Sequence, residues 1–423
     1  MANITRLVNY AKPLRSGIKS TVFANFVSLA SIQGVNYILP LIVIPYLFRI
    51  LGVKEFGLFG FAYAFVQYFV IMTDFGFNLS ATKYIAEHRD DPQKINEYLN
   101  AATLARLLIC AVGFVVMAII TFSFNPFKAD KAFFLLFYGI VLGGAIFPQW
   151  FFQGIEKMKY ITVITIVAKI ISIIPIFFLV RSSADYLRIP ILYSIGFLIA
   201  GGFSLYFIYC KMGMKWFFPD SGKIMWSLKN SWPYFLSRAA VSMFTVSNVF
   251  ILGLTVNVTA VGYYSAAEKI YQALNSAYYP LSGAIFPHMA KKKDVSFFKK
   301  VFTISMLANA IIVCFILVFA PEIIRILFHT HEIYSVLVLR ILAVVCFFTV
   351  PSILLGYPFL AAMGHPNYTN GTVIGSAIFH IAGLLILFSL GAITIYSIAW
   401  MVVITEIILF FMRVYGVRKY RLI

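Results

Sequence analysis

The sequence predicts an all-α polytopic membrane protein, with twelve transmembrane helices in two six-helix lobes related by a pseudo-two-fold axis along the membrane normal. Three observations predict it. Hydrophobic residues make up 61% of the 423 residues and charged residues only 12%, with a mean hydropathy of +0.91. Apolar runs of about 20 residues recur along the whole chain, the length an α-helix needs to cross a hydrocarbon layer. A shift of 205 residues carries Glu55-Phe56-Gly57-Leu58-Phe59 onto Ala260-Val261-Gly262-Tyr263-Tyr264, and Gln67 onto Gln272. Both stretches open a helix of the same direction, the second and the eighth, so the repeats are parallel.

The expected spans are 20–47, 55–82, 97–123, 132–151, 159–180, 188–210, 230–254, 259–286, 298–319, 333–355, 367–389 and 391–412. Helix breakers separate them, among them Leu51-Gly52, Asp91-Pro92, Asn125-Pro126, Asn257 and Gly364-His365-Pro366. The first run is too long for the apolar part of a signal peptide, and no small-residue cleavage site follows it. The lobes are 1–210 and 230–423, joined by a linker at 211–229. Asp220 is placed to cap a short interfacial helix at Lys223–Lys229.

A net charge of +19 would suit nucleic acid, but the basic residues sit in short clusters between spans, where membrane topology explains them. With the N-terminus inside, the inner segments hold 22 Lys and Arg against 8 in the outer ones, which orients both termini to the cytoplasm. Trp150, Trp216, Trp226 and Trp232 then fall at the inner interface. Cys110, Cys210, Cys314 and Cys346 lie in or beside apolar runs, as small core residues without metal spacing. No nucleotide loop, nucleophile elbow or zinc-protease motif is present. His329-Thr330-His331 lacks a third ligand at helical spacing. Neither a metal nor a cofactor is expected.

Four basic residues remain inside spans: Arg106, Lys169, Arg238 and Lys269, accompanied by Asp74, Glu268 and Glu406. Charges at such depth are costly and face protein or water rather than lipid. Thr162, Thr165, Lys169 and Ser172 share one face of the fifth helix, with Pro175 beyond them. Lys169 either lines water there or bonds backbone carbonyls freed by a kink. Glu268, Gln272, Asn275 and Tyr279 share a face of the eighth helix, flanked by Lys269 and Ser276. Tyr63, Gln67 and Asp74 hold matching positions on the second. Asn25, Gln33 and Asn36 on the first helix, and Arg238, Ser242 and Thr245 on the seventh, complete four polar stripes. These suit a wet cleft between the halves, or hydrogen bonding inside a packed bundle. Arg106 and Arg238 lie near enough to the inner ends of their spans to snorkel. A cation-lined cleft suits a phosphate or pyrophosphate, with Arg49 at the outer mouth. His380, in the eleventh span, reads as a bonded bundle residue or a proton relay. Glu406 is left without a role.

The stretch PYLFRILGVKEFGLFGFAYAF at 45–65, followed by TDFGFN at 73–78, resembles the polysaccharide-transport branch of the multidrug/oligosaccharidyl-lipid/polysaccharide exporter superfamily. The nearest type is the Wzx-type O-antigen flippase. The resemblance rests on Arg49-x-Leu-Gly-x-x-x-Phe-Gly, then Asp74-x-Gly, and YYSAAEKI in the second half. It extends over the whole chain, although related lipid II flippases carry fourteen helices against the twelve expected here.

The resemblance implies a flippase, not an enzyme, of the bacterial inner membrane. Its cargo is an undecaprenyl-pyrophosphate-linked oligosaccharide, moved from the cytoplasmic to the periplasmic leaflet through a cationic cavity. Arg49, Arg106, Lys169, Arg238 and Lys269 are the substrate-binding candidates for the pyrophosphate, and Gln67, Gln272 and Asn275 for the sugar hydroxyls. Asp74 and Glu268 are the candidates for coupling to a proton or sodium gradient. The lipid bilayer and the polysaccharide polymerase machinery are expected partners; nucleic acid is not. The alternatives are a drug/cation antiporter of the same superfamily, for which the charges have the wrong sign, and a membrane polymerase or ligase of lipid-linked sugars, which would need a large outer loop.

Overall fold

In the computed structural model, residues 18–330 and 332–422 are described, without the side chains of 18–38, 41, 237 and 240–245. The expected stripe residues Asn25, Gln33, Asn36, Ser242 and Thr245, and His331, therefore lie outside the described residues.

The described residues form helices and connecting turns. In chain order they are α1 (Ile18–Asp74), α2 (Phe77–Glu87), α3 (Pro92–Ser123), α4 (Asn125–Lys128), α5 (Lys131–Phe137), α6 (Gly139–Ala145), α7 (Gln149–Gly154), α8 (Met158–Leu179) and α9 (Arg188–Tyr206). There follow α10 (Ser221–Thr255), α11 (Val258–Ser276), α12 (Tyr278–Lys292), α13 (Val295–Phe328), α14 (Ile333–Leu354), α15 (Pro366–Ser389) and α16 (Ile395–Lys419). Wider π-type turns extend α9 over Phe207–Lys211 and α14 over Leu355–Ala361. Nine helical stretches among the described residues are long and apolar enough to cross a membrane.

Local chemistry sets the ends. Gly52 has φ 79° and ψ 172°, a conformation only glycine adopts readily, and it divides α1 into two helices. Asp91 caps α3, its carboxylate accepting the Lys94 amide at 3.1 Å, with Pro92 in the first turn. Asn257 caps α11 through the Ala260 amide at 2.8 Å, and Asp294 caps α13 through that of Phe297 at 2.9 Å. At α16 the cap is reciprocal. The Ser397 amide donates to the Thr394 hydroxyl at 3.0 Å, and the Thr394 amide to the Ser397 hydroxyl at 2.8 Å.

The structure departs from the expected spans in several places, the eighth among them, which divides at Ala277 between α11 and α12. The second span breaks at Phe75 and Gly76, both at positive φ; a Cβ on Gly76 would stand 2.6 Å from the Phe235 amide nitrogen. The fourth span is three short helices, α5 to α7, interrupted at Tyr138 and again around Pro148. The helix that starts after Asp220 does not stop at Lys229, but runs on through Pro233 to Thr255.

Contacts group the chain into two compact units, Met1–Ile38 with Ala62–Ser242, and Leu39–Phe61 with Met243–Ile423. The divisions thus fall inside α1 and α10. In the first unit Phe77, Tyr98, Trp150, Phe151 and Phe152 pack with Ile161 and Met212. In the second, Ile285, Met289, Phe298, Leu354 and Phe359 pack with Val417, and Phe298 stacks on Phe359 at 4.2 Å. Val112, Val115, Ile119 and Phe122 each expose over half their surface along one face of α3. An apolar stripe of this kind faces lipid tails.

Two expectations about uncharged residues are corrected. Trp150 is fully buried, with its indole nitrogen lacking a hydrogen-bond partner, so it belongs to the core rather than an interfacial belt. Cys210 and Cys314 are exposed; only Cys110 and Cys346 are core residues.

Candidate functional site

In the first unit, Asp74 ends α1 and is 8% exposed; Arg106, in the middle of α3, is 5% exposed. Asp74 interacts electrostatically with both Arg106 and Arg238, the first-named more strongly. These three expected residues are therefore brought together. Arg106 does not snorkel. Its Nη2 donates to the Gly144 carbonyl at 2.7 Å and its Nη1 to the Phe147 carbonyl at 3.3 Å. Both carbonyls border the break between α6 and α7, where each also accepts from a backbone amide, Gly144 from Phe147 at 3.2 Å and Phe147 from Gln149 at 3.0 Å. One carboxylate oxygen of Asp74 and the Nε of Arg106 are buried without hydrogen-bond partners. Arg238, by contrast, is exposed along α10.

The stripe on α8 is helical throughout, with Lys169 half-buried and Thr162 and Ser172 buried. The Ser172 hydroxyl donates to the Ala168 carbonyl at 2.9 Å. Gly196 of α9 packs on this part of the stripe: a Cβ there would lie 2.6 Å from that of Ser172. The stripe is thus divided, its Ser172 end serving helix packing. Gln67 is half-buried.

In the second unit, Arg49 is exposed near the end of the first half of α1. On α11, Glu268 is buried and Lys269 half-buried, and Lys269 Nζ donates to Gln272 Oε1 at 3.0 Å on the exposed face. Glu268 feels the charge of its neighbour Lys269. Asn275 is buried and accepts from the Cys346 thiol at 4.0 Å. The i, i+3 spacing of Lys269 and Gln272 thus yields a direct contact, while Glu268 and Asn275 point into the unit.

The sequence reading missed Arg413. Counted there with the inner tail, it lies inside α16 and is 6% exposed. Its guanidinium donates to the Ser352 carbonyl and, at 3.4 Å, to the Thr372 hydroxyl. It packs on Gly356, whose ψ of −110° breaks the helix. Glu406, one stripe along α16, interacts with Arg413 electrostatically and has one oxygen without a partner. His380 is fully buried and bonds Thr405 and Asn248, each at 2.8 Å, tying α15 to α16 and α10.

The family model for "Polysaccharide biosynthesis protein" matches residues 22–293, well over half of the chain. The chain belongs to this family. Two relatives share the name "Putative O-antigen transporter". That of Escherichia coli (strain K12) is 30% identical over 273 residues, 64% of this chain and 66% of its own length. That of Shigella dysenteriae is 29% identical over 276 residues, 65% of this chain and 69% of its own. The chain thus matches about two thirds of each. Among solved structures, a lipid II flippase MurJ in an inward closed conformation superposes with a TM-score of 0.71 at 14% identity, covering 94% of this chain and 87% of that one. A multidrug resistance MATE family transporter of the MOP superfamily, inward-facing, gives 0.65 at 14% identity, covering 94% and 98%. This chain therefore has the fold of these two solved proteins.

Proposed function

We propose that this protein is a flippase for undecaprenyl-pyrophosphate-linked oligosaccharide repeat units in the bacterial inner membrane. It carries them from the cytoplasmic to the periplasmic leaflet by alternating access through a cationic central cavity. The observation that carries the reading is the match to the polysaccharide biosynthesis family over 22–293, in a chain whose apolar helices carry the basic residues Arg106, Lys169, Arg238 and Lys269. Pyrophosphate is the group for which Arg and Lys supply the strongest bonds. In this reading the lobes are 1–210 and 230–423, both termini are cytoplasmic, and 211–229 lies at the inner surface.

Arg49, Lys169, Arg238 and Lys269 attract the pyrophosphate. Arg106 contributes its positive field while its own bonds stay with the broken helix. Gln67, Gln272 and Asn275 meet sugar hydroxyls. Asp74 or Glu268 binds and releases the coupling ion, a proton or sodium. No covalent chemistry is asked of any side chain, so the protein is a transporter rather than an enzyme, and it hands its product to the polymerase machinery.

Complementation tests the reading. The chain is supplied to strains that each lack one defined repeat-unit flippase, and surface polysaccharide is measured. Return of polymer in one strain is the expected result. Return in none, together with export of cationic dyes, would replace the flippase by a drug antiporter.

A further inference from the structure

The ion pairs closer than 4 Å among the described residues all lie in the first unit. Around the ends of its helices Lys83 meets Glu87 at 3.9 Å, Arg89 meets Glu156 at 2.7 Å, Lys94 meets Asp91 at 3.5 Å and Lys223 meets Glu97 at 2.7 Å. The second unit does the opposite at the end where α12 and α16 stop and α13 starts. Lys291–Lys293, Lys299, Lys300, Arg418, Lys419 and Arg421 are all exposed there. Asp294 is the single acid in 281–303 and 410–423, and its carboxylate is engaged by the Phe297 amide as the cap of α13.

Apolar residues between these cations hold them on one surface. Met289, Phe298 and Val417 are buried in a single core, and Val295, Phe297, Tyr420 and Leu422 pack on it. Three chain segments are thereby pinned by their apolar side chains, with their basic side chains outward. Like charges gathered in this way repel one another unless anions stand between them.

Topology asks for basic residues beside a span, but not for their place on its faces. That place is a second observation. Lys300, Ile304, Leu307 and Ile311 follow i, i+4, i+7, i+11 on α13, and the three apolar residues each expose over half their surface. Phe411, Tyr415 and Lys419 follow i, i+4, i+8 on α16, with Phe411 and Tyr415 equally open. The cations thus end the stripes that face lipid tails, where headgroup phosphates lie. A soluble acidic protein would be met by cations on the aqueous side instead.

We propose that this end of the second unit is a docking surface for anionic phospholipids of the leaflet at which these helices end. Lys300 and Lys419 lie on the headgroup phosphates, and the other cations widen the positive field. The surface is separate from the residues assigned to transport, and the inference holds whatever the cargo.

Lysine acetylation in nanodiscs tests it. The full chain is placed in phosphatidylcholine, alone or mixed with phosphatidylglycerol, treated briefly with an acetylating reagent, and read by peptide mass spectrometry. Lys300 and Lys419 should acetylate about fivefold more slowly when phosphatidylglycerol is present, and high salt should erase the difference. Lys83 and Lys94, beside Glu87 and Asp91, should change far less. Separately, Lys300→Gln with Lys419→Gln should lose most of the phosphatidylglycerol carried through detergent in native mass spectrometry, while Lys83→Gln with Lys94→Gln should keep it. Equal acetylation in the two lipids, or equal slowing at Lys83 and Lys94, would overturn the surface. So would protection found only in native membranes, which would give the surface to an acidic protein, or only on addition of undecaprenyl pyrophosphate, which would give it to the cargo. If the double variant does not accumulate, the acetylation rates of the parent chain decide alone. None of these measurements uses transport, so loss of the flippase reading would leave the lipid surface standing.

Discussion

The fourth membrane segment of the first half and the corresponding π-turned segment of the second are broken at similar positions, and each break is filled by an arginine. At Pro148 the filler is Arg106, from α3, bonded to the Gly144 and Phe147 carbonyls. At Gly356 it is Arg413, from α16, bonded to the Ser352 carbonyl. The two arginines are not related by the 205-residue shift. The two halves therefore share a backbone requirement and meet it with charges from unrelated helices. A broken helix in lipid leaves carbonyls that must find donors, and a guanidinium supplies several in a fixed fork. Each arginine also has a carboxylate within electrostatic reach, Asp74 for Arg106 and Glu406 for Arg413. A buried arginine in a membrane helix thus has two possible employments, and its hydrogen bonds distinguish them.

The largest expected effect follows from that distinction. Arg106→Ala and Arg413→Ala each remove the charged donor from the carbonyls at a break and leave a buried carboxylate without that cation, a loss of roughly 3–5 kcal/mol by analogy with other broken buried charge networks. Both variants should accumulate poorly, and fluorescence-detected size exclusion in detergent should show loss of the monodisperse peak. Arg→Lys should recover little, because an ammonium cannot bridge two carbonyls as the fork does. Normal folding of both alanine variants would break the comparison at its root.

How much of this was legible in the sequence depends on the scale of the signal. Helix identity came from apolar runs, and the parallel repeat from the glycine-centred match at 57 and 262. The plugged breaks were not legible. Gly143-Gly144 and Pro148 stand in an otherwise apolar run, and nothing local separates a broken helix from a bent one. Arg413 stands within a turn or two of Arg418 and Lys419, and there a buried donor looks like the start of a basic tail. Trp150 was assigned to the interface by depth alone, whereas its burial depends on α2, α3 and α8 closing around it. Pairing of Lys269 with Gln272 follows from helical spacing; the convergence of Asp74, Arg106 and Arg238 needs the tertiary fold.

The second expected effect concerns the lysines proposed to attract the pyrophosphate. Lys169 is half-buried on α8, and Lys269 contacts only Gln272 among the hydrogen bonds drawn above. If these attract the pyrophosphate, Lys169→Arg should retain much of the transport, Lys169→Ala should lose it, and Lys169→Glu should lose more, all at normal abundance. Lys269→Ala should behave as Lys169→Ala does. The readout is surface polysaccharide per unit of folded protein. Full activity of Lys169→Ala at normal abundance would remove Lys169 from the pyrophosphate-binding set and leave Lys269 and Arg238 in it.

A smaller effect sharpens the second break. A Cβ on Gly356 would stand 2.8 Å from Arg413 Nη1, so Gly356→Ala must displace the plug, at a cost of about 1–3 kcal/mol by analogy with overpacked cores. In the Arg413→Ala background that clash is gone, and the same substitution should add little. The double-mutant cycle in detergent stability should therefore show coupling. Strict additivity would mean that Arg413 does not fill the break.

The smallest effect lies at the starts of the two arginine-bearing helices, which are capped differently. Asp91 caps α3 with an ionisable group, whereas Thr394 and Ser397 cap α16 with hydroxyls. The Lys94 amide, bonded to the Asp91 carboxylate, holds that carboxyl below its ordinary value, with the Lys94 ammonium helping. A carboxyl lowered in the folded state stabilises above its unfolded pKa, near 4, and the contribution disappears as pH falls through the lower folded value. Acidification through that window should therefore speed amide exchange at Lys94, whose own N–H is the capped donor, and leave exchange at Ser397 unchanged after correction for intrinsic rates. Asp91→Asn should abolish the pH dependence while keeping the cap, since an amide oxygen accepts as well as a carboxylate does. Asp91→Ala should expose Lys94 at every pH. Because Arg106 sits four turns further along α3, none of these variants should disturb its bonds to Gly144 and Phe147. An acid-induced loss of the monodisperse peak in Asp91→Asn as large as in the parent would mean that another acidic group, rather than this cap, sets the acid sensitivity of the first half.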